Sequence, residues 1–381
     1  MSDLYQDTRR LARETFAPIA ERNDPSRVDR ELVRALAEHG LLSRLFPPED
    51  SADVSGGSGD VSASDLCTIR EALATECTEA ETAFALQGLG AYPIFQAGSP
   101  ELRERWIPRV ADGSAVASFA LTEPDAGSDA SAMSLQAVGD GDGYRLRGEK
   151  LWISNAPDAD IYTVFARTSE GRRGITAFAL AGDSEGLSGE HKSLLAPHAI
   201  GSLHFEDVYV SGDSVLGEPG GGFRVAMRTL DLFRPSVGAF AIGMARRALE
   251  LAADWALERH TFGKPLRDHQ AVAHRLADLT ARVEAARLLV RQAAAAHDAG
   301  TPDPALAAMA KLLATETAQE AVDAAVQFHG ARALEEGHPL AHLYREVRAP
   351  RIYEGASEIQ REIIARAIFR EAEARRTADP A

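Results

Sequence analysis

The spacing of apolar positions changes character twice along the chain. In residues 1 to about 115 it is helical with breaks: Leu32, Leu36, Leu41 and Leu42 share an apolar face, and Pro100 to Arg109 starts a further short helix. A Gly/Ser-rich stretch, Ser55 to Gly59, predicts an exposed loop. From about 116 to 223 the pattern turns strand-like. Tyr144 and Leu146 alternate with Arg145 and Arg147 just after the turn run Gly139 to Gly143. Ile161 to Arg167, Ile175 to Leu180 and Leu203 to Val210 are short runs of β-formers bounded by Gly, Asp or Ser, and dense glycine at 217–222 closes the region. From 224 onward the helical period returns. Ile242, Ala245, Leu249, Ala252 and Ala256 step by three and four, as do Val272, Leu276, Leu279, Val283, Ala286 and Val290. Pro235, Pro265, Pro302, Pro304, Pro339 and Pro350 read as helix breaks.

These textures predict a multidomain α+β chain: an N-terminal all-α domain (1–115), a middle β-domain of barrel or sandwich type (116–223) and a C-terminal bundle of long helices (224–381). A doubly wound sheet would need strands alternating with helices, and they do not alternate here.

With 381 residues, 45% hydrophobic and 26% charged, the composition is that of an ordinary soluble globular protein. The net charge of −16 speaks against a nucleic-acid partner, which needs a basic face. A few local arginines can still bind a small anion. No apolar run approaches the ~20 residues that span a bilayer. The charged start MSDLYQDTRRLARETF lacks the apolar core of a secretory signal, so a cytoplasmic location is expected. Cys67 and Cys77 fit neither a zinc nor a redox spacing and are expected as buried free thiols. His338 and His342 could share a helix face, but no third metal ligand is evident. G-x-G-x-x-G, the P-loop, G-x-S-x-G and H-E-x-x-H are all absent.

Four segments carry candidate chemistry. Phe119-Ala-Leu-Thr-Glu-Pro-Asp-Ala-Gly-Ser-Asp129 offers backbone N–H groups and hydroxyls at close approach, which suits a polar ring edge and phosphates; equally, it could be a polar turn with a capping Asp or Ser. In Leu151-Trp-Ile-Ser-Asn155 the indole could wall an aromatic cofactor or be plain core. Arg259-His-Thr-Phe-Gly-Lys-Pro265 is a basic break between two long helices that could hold a pyrophosphate or simply stop a helix. In Arg351-Ile-Tyr-Glu-Gly-Ala-Ser-Glu-Ile-Gln-Arg361, Glu354 sits where a helix begins and could be no more than an N-terminal charge.

In this order and spacing the four segments resemble the acyl-CoA dehydrogenases. The resemblance runs from about residue 30 to 370, and the strings T-E-P-x-A-G-S-D and Y-E-G-x-x-x-I-Q-R are highly specific together. It implies the domain order given above, with a C-terminal four-helix bundle. It also implies FAD as cofactor and α,β-dehydrogenation of an acyl-CoA to the trans-2-enoyl-CoA. Glu354 is then the base that takes the α-proton, and its backbone N–H is an oxyanion contact. Some relatives carry the base just before the arginine of a D-x-x-R stretch; that position here is Phe233, which has no basic group and whose bulk is expected to restrict the acyl pocket.

By the same resemblance Phe119, Leu121, Thr122, Gly127, Ser128, Trp152 and Ser154 bind FAD. Arg259, Phe262 and Gln270 reach the FAD of a neighbouring subunit, and Gln327 and Gly330 meet its adenosine end. Asp231, Arg234, Ser128, Tyr353 and Gly355 contact the substrate. A site shared between chains implies a homo-oligomer, typically a tetramer, and the expected electron acceptor is an electron-transferring flavoprotein. Two departures leave the acyl class open. Ser193-Leu-Leu-Ala-Pro-His198 lacks the usual Arg and Ser of this stretch, and Gly330-Ala-Arg-Ala333 replaces G-G-x-G. The alternatives are a dehydrogenase of carrier-protein-bound acyl thioesters, a flavin oxidase or monooxygenase on the same fold, and a non-enzymatic helical interaction protein. Reactivity with free acyl-CoA, reactivity of the reduced flavin with oxygen, and the presence of flavin separate them.

Overall fold

The computed structural model describes residues 2–47 and 61–378. The loop expected at Ser55 to Gly59 lies outside the described residues. The first helices are α1 (Asp3–Leu11), α2 (Ala17–Ala20), α3 (Arg30–Glu38), α4 (Ala63–Glu76), α5 (Thr78–Ala97) and α6 (Pro100–Ala111). Strands follow: β1 (Ala117–Ala120), β2 (Gln136–Asp140), β3 (Gly143–Ser154), β4 (Ile161–Arg167), β5 (Ile175–Ala181), β6 (Leu187–His191), β7 (Ile200–Ser211) and β8 (Val215–Leu216). The rest is helical but for a hairpin: α7 (Gly222–Glu258), β9 (His260–Thr261), β10 (Lys264–Pro265), α8 (Gln270–Asp298), α9 (Pro304–His329), α10 (Pro339–Glu346) and α11 (Ser357–Ala378). Helices, then strands, then helices is the order the periodicity predicts.

The chain forms two compact units. One gathers Met1–Arg10, Ser62–Thr78 and Asp231–Ala381; the other gathers Leu11–Val61 and Glu79–Leu230.

The first unit is helical. Helix α9 packs on α8 and α11, and α4 packs on α8. Two glycines set how closely α7 approaches its neighbours. A Cβ on Gly238 would come within 2.7 Å of Val290 on α8, and one on Gly243 within 2.5 Å of the Glu71 carbonyl on α4. Buried Glu71 is held by Arg287 at 2.8 Å and Arg246 at 3.3 Å, so its charge is compensated. Pro235, expected to break a helix, lies inside α7. A proline there removes one intrahelical hydrogen bond and costs about 3 kcal/mol. Every residue from Leu232 to Ala245 is buried, and that packing outweighs the loss.

The second unit is built on an eight-stranded mixed sheet with the order β6-β7-β3-β2-β4-β5-β8. β1 joins beside β4, in parallel, and β2 meets the other end of β4 at Gln136 and Arg167. β4 and β5 are buried on both faces, which explains their continuous apolar runs. Leu146, Tyr162, Phe178, Leu203 and Phe205 are among the core residues. Gly90 on α5 lets that helix lie against β1: a Cβ there would stand 2.5 Å from the Ser118 nitrogen. Cys67 and Cys77 are both buried.

Candidate active site

In the helical unit the segment between α10 and α11 makes a tight turn through Glu354 (φ 51°) and Gly355 (φ 92°). A glutamate in the left-handed region is strained by roughly 1–2 kcal/mol and persists only where its surroundings impose it. Here they do. The Gly355 carbonyl accepts from Lys311 Nζ at 2.7 Å and from Gln360 Nε2 at 2.8 Å. Glu316 on α9 accepts from Ser357 Oγ at 2.7 Å and pairs with Arg351 at 2.8 Å, fixing both ends of the turn. Any side chain at 355 would strike Gln360 Nε2, 2.5 Å from an added Cβ.

The Glu354 carboxyl points inward, and its Oε2 is buried without a hydrogen-bond partner among the described residues. Burial pushes this carboxyl above the ordinary carboxylate range, while the charges of Arg70, Lys311 and Arg234 pull the other way. A buried acceptor left unsatisfied is uncommon in folded proteins and calls for an explanation. Arg234 is itself buried, donates from Nη1 to Asp231 Oδ1 at 3.0 Å, and keeps an unpartnered buried Nε. Phe233 between them is buried, and Tyr353, next to Glu354, is exposed. Glu354, Tyr353, Gly355, Asp231 and Arg234 thus all belong to this one unit, with Arg234 within electrostatic reach of Glu354.

The same unit carries a second group. The break expected at 259–265 is a hairpin: Thr261 pairs with Lys264, and the two residues between them, Phe262 (φ 51°) and Gly263 (φ 80°), both have positive φ. Such a two-residue turn favours Asn-Gly, so a phenylalanine in its first position is strained. Phe262 is 98% exposed, a large apolar ring whose contact among the described residues is edge-on with His269 at 6.2 Å between ring centres. Arg259 and Gln270 flank this hairpin and are exposed. Gln327 and Gly330 stand at the end of α9. Beside them Trp255 stacks on His329 (5.1 Å between ring centres) and Arg332 covers the indole at 5.3 Å. His338 caps α10 through the Leu340 N–H, and His342 Nε2 lies 2.6 Å from Thr78 Oγ1, so both expected histidines have structural partners.

In the β unit, the Phe119–Asp129 segment begins on β1 and continues as a loop. Leu121 is buried, Thr122 half-buried, and Gly127 and Ser128 exposed, with open space around Gly127. The loop is anchored by fully buried Lys150, whose Nζ donates to the Leu121 carbonyl at 2.9 Å and pairs with buried Glu123 at 2.8 Å. Trp152 occupies a β-bulge: Leu151 pairs with Ser202 and Ile153 with Gly201, so the tryptophan is the extra residue. Its φ of 59° and 51% exposure make it a strained, outward-turned indole and not core. Two residues on, Ser154 Oγ lies 3.2 Å from Nε2 of His198, whose imidazole is pushed down to about 4 by burial and is therefore neutral at pH 7. Phe119 packs on Phe165, and Ser118 Oγ donates to the Ser154 carbonyl at 2.6 Å, tying β1 to the end of β3.

Lys311, Lys150 and His198 escape a reading of local pattern. Lys311 shows only as one charge in the alanine-rich run Pro-Ala-Leu-Ala-Ala-Met-Ala-Lys311. Lys150 lies 27 residues from Glu123, and His198 lies 44 from Ser154. Among the described residues no cluster of three or more His, Cys, Asp or Glu could hold a metal, and no helix is long and apolar enough to cross a membrane.

An aromatic face and hydroxyls in the β unit, and, in the helical unit, an exposed guanidinium and a buried carboxyl, are groups of the kinds that flavin-dependent oxidoreductases use. The comparisons with known proteins are more specific. The N-terminal, middle and C-terminal domains of acyl-CoA dehydrogenase match residues 2–114, 118–208 and 220–369. The chain belongs to the acyl-CoA dehydrogenase family. It is 37% identical to cyclohexane-1-carbonyl-CoA dehydrogenase of Geobacter metallireducens over 97% of either chain. The solved butyryl-CoA dehydrogenase of Megasphaera elsdenii superposes with a TM-score of 0.88 at 34% identity, covering 97% of this chain and 99% of that one. The structure of PigA with FAD and proline has a TM-score of 0.88 at 28% identity, with 96% of either chain covered. The family implies FAD, and the residues here fit it: the bulged Trp152 offers a ring face, Ser154 and Ser128 offer hydroxyls, and Phe262 and Arg259 project outward.

Proposed function

We propose that this protein oxidises an acyl-CoA to the trans-2-enoyl-CoA, with Glu354 removing the α-proton. The buried, partnerless Oε2 of Glu354 carries this reading. A carboxylate pushed above its ordinary range by burial is a stronger base, and the weakly acidic carbon next to a thioester needs one. Bound FAD would supply the acceptor for the hydride leaving the β-carbon, so that one proton and one hydride balance the new double bond. Among the chain's own groups, the Glu354 backbone N–H and its left-handed turn orient the thioester oxygen, and Asp231 and Arg234 hold the CoA part. Thr122, Ser128, Trp152 and Ser154 hold the flavin end of the cofactor. Gln327 and Gly330 meet its adenosine end, and Arg259, Phe262 and Gln270 reach toward the cofactor of a neighbouring copy, which makes a homo-oligomer, typically a tetramer, part of the proposal. Phe233 leaves Glu354 as the base and trims the acyl pocket. Electrons would leave to an electron-transferring flavoprotein, in the cytoplasm. The test is anaerobic titration of the purified flavoprotein with straight-chain, cyclic and dicarboxylic acyl-CoAs; bleaching by one class supports the reading and names the substrate, and bleaching by none defeats it.

A further inference from the structure

The turn that carries Glu354 rests on a charge that neither proton abstraction nor cofactor binding uses. Lys311 is completely buried in α9 among Ala307, Ala308, Ala310 and Ala314. Its Nζ donates to the Gly355 carbonyl at 2.7 Å. That carbonyl already accepts from the neutral amide of Gln360 at 2.8 Å, so its hydrogen-bonding need is met without an ammonium. Burying a charge for a second bond to a satisfied carbonyl is unfavourable unless the charge has another task.

The residue next to that carbonyl in the turn is Glu354, and its carboxyl is the largest charge acting on the Lys311 ammonium. We infer that Lys311 is a positioning residue for Glu354: its ammonium pins the left-handed Glu354–Gly355 turn and holds the buried carboxyl in the ionised form that accepts a proton. This rests on the reading of Glu354 as the base. The charged groups around the pair come from four helices. Arg70 on α4 and Arg234 on α7 also favour the Glu354 carboxylate. Lys311 is pushed down to about 8 by burial; Glu354, Glu316 on α9 and Glu358 on α11 oppose that shift, and Arg234 adds to it. At pH 7 the ammonium is therefore still protonated. Lys311 is also bonded to the turn itself, at the Gly355 carbonyl.

The test follows the carboxyl stretch that disappears in Glu354→Gln, read by difference infrared spectroscopy against pH in the purified flavoprotein and in two Lys311 variants. Lys311→Gln keeps a donor and removes the charge; the midpoint for Glu354 ionisation should rise by roughly one pH unit, a tenfold loss of the ionised form below the midpoint. Flavin reduction by acyl-CoA at pH 7 should fall in step and recover at higher pH. Lys311→Arg keeps the charge and should stay close to the unsubstituted protein. An unmoved midpoint in Lys311→Gln, or an equal displacement in Lys311→Arg, overturns the inference. If Lys311→Gln does not fold, Gln360→Met decides: it removes the neutral donor and leaves the ammonium, so the midpoint should stay, and a full-unit rise would place the control elsewhere. Failure of every acyl-CoA to bleach the unsubstituted protein would defeat the functional reading, while the infrared titration would still decide the link between Lys311 and Glu354.

Discussion

Replacing Glu354 by glutamine exchanges one carboxylate oxygen for an amide nitrogen and removes the proposed acceptor of the α-proton. The amide keeps the volume and the turn, so the fold and the flavin should be retained. The rate loss follows from the surroundings. A positioned general base contributes typically 10²–10⁴-fold. The alternative base position of the family is Phe233 here, and Asp231 is engaged by Arg234 at 3.0 Å. The upper end applies, roughly 10⁴-fold, or about 5.5 kcal/mol of barrier. The pH behaviour should change as well. Glu354 is raised above its unfolded value, so its contribution to stability is full below the unfolded value and is lost as pH rises through the folded one. Activity runs the opposite way, appearing as the carboxyl ionises. Glu354→Gln should therefore flatten both the activity limb and this part of the stability profile. Stopped-flow reduction of the flavin under anaerobic conditions, with flavin content and melting temperature measured in parallel, tests all of this. Reduction within about tenfold of the unsubstituted rate would refute Glu354 as the base.

Further outcomes can be checked directly. Gly355→Ala forces a Cβ to within 2.5 Å of Gln360 Nε2 at a φ of 92°, so it should retain flavin yet lose most reduction; unimpaired reduction would show that the turn geometry is not needed. Lys150→Met leaves Glu123 as a buried unpaired charge and should destabilise the fold by about 3–5 kcal/mol, measured by denaturant unfolding; a loss below 1 kcal/mol would show that the pair does not anchor the loop. Arg259→Ala should lower flavin retention on gel filtration, and unchanged cofactor content would contradict its role. Phe233→Ala should broaden the range of acyl groups that bleach the flavin, and an unaltered preference would remove Phe233 from the acyl pocket.

What the sequence discloses and what it hides divides along local and long-range physics. The helix–strand–helix order is visible because periods of 3.6 and 2 are local; β4 falls on Ile161–Arg167, as its apolar run predicts. Glu354 is visible through its motif. Lys311 is not, because the turn it bonds, at Gly355, lies 44 residues away in the chain. The bulge at Trp152 depends on register with β7, some fifty residues on, and no local signal marks it. Pro235 misleads for the converse reason: a proline is a strong local breaker, and only the burial around it in α7 shows that packing prevails. The hairpin at Thr261–Lys264 hides because Phe-Gly is a poor turn pair, and the strain that hides it points to the exposed Phe262.

The most direct test of the central claim is the visible spectrum of the purified protein during anaerobic addition of acyl-CoAs, run beside Glu354→Gln. The account predicts a yellow protein bleached by one acyl class and a variant equally yellow that stays unbleached. A flavin that no acyl-CoA reduces, or one reduced equally fast in the variant, would contradict it.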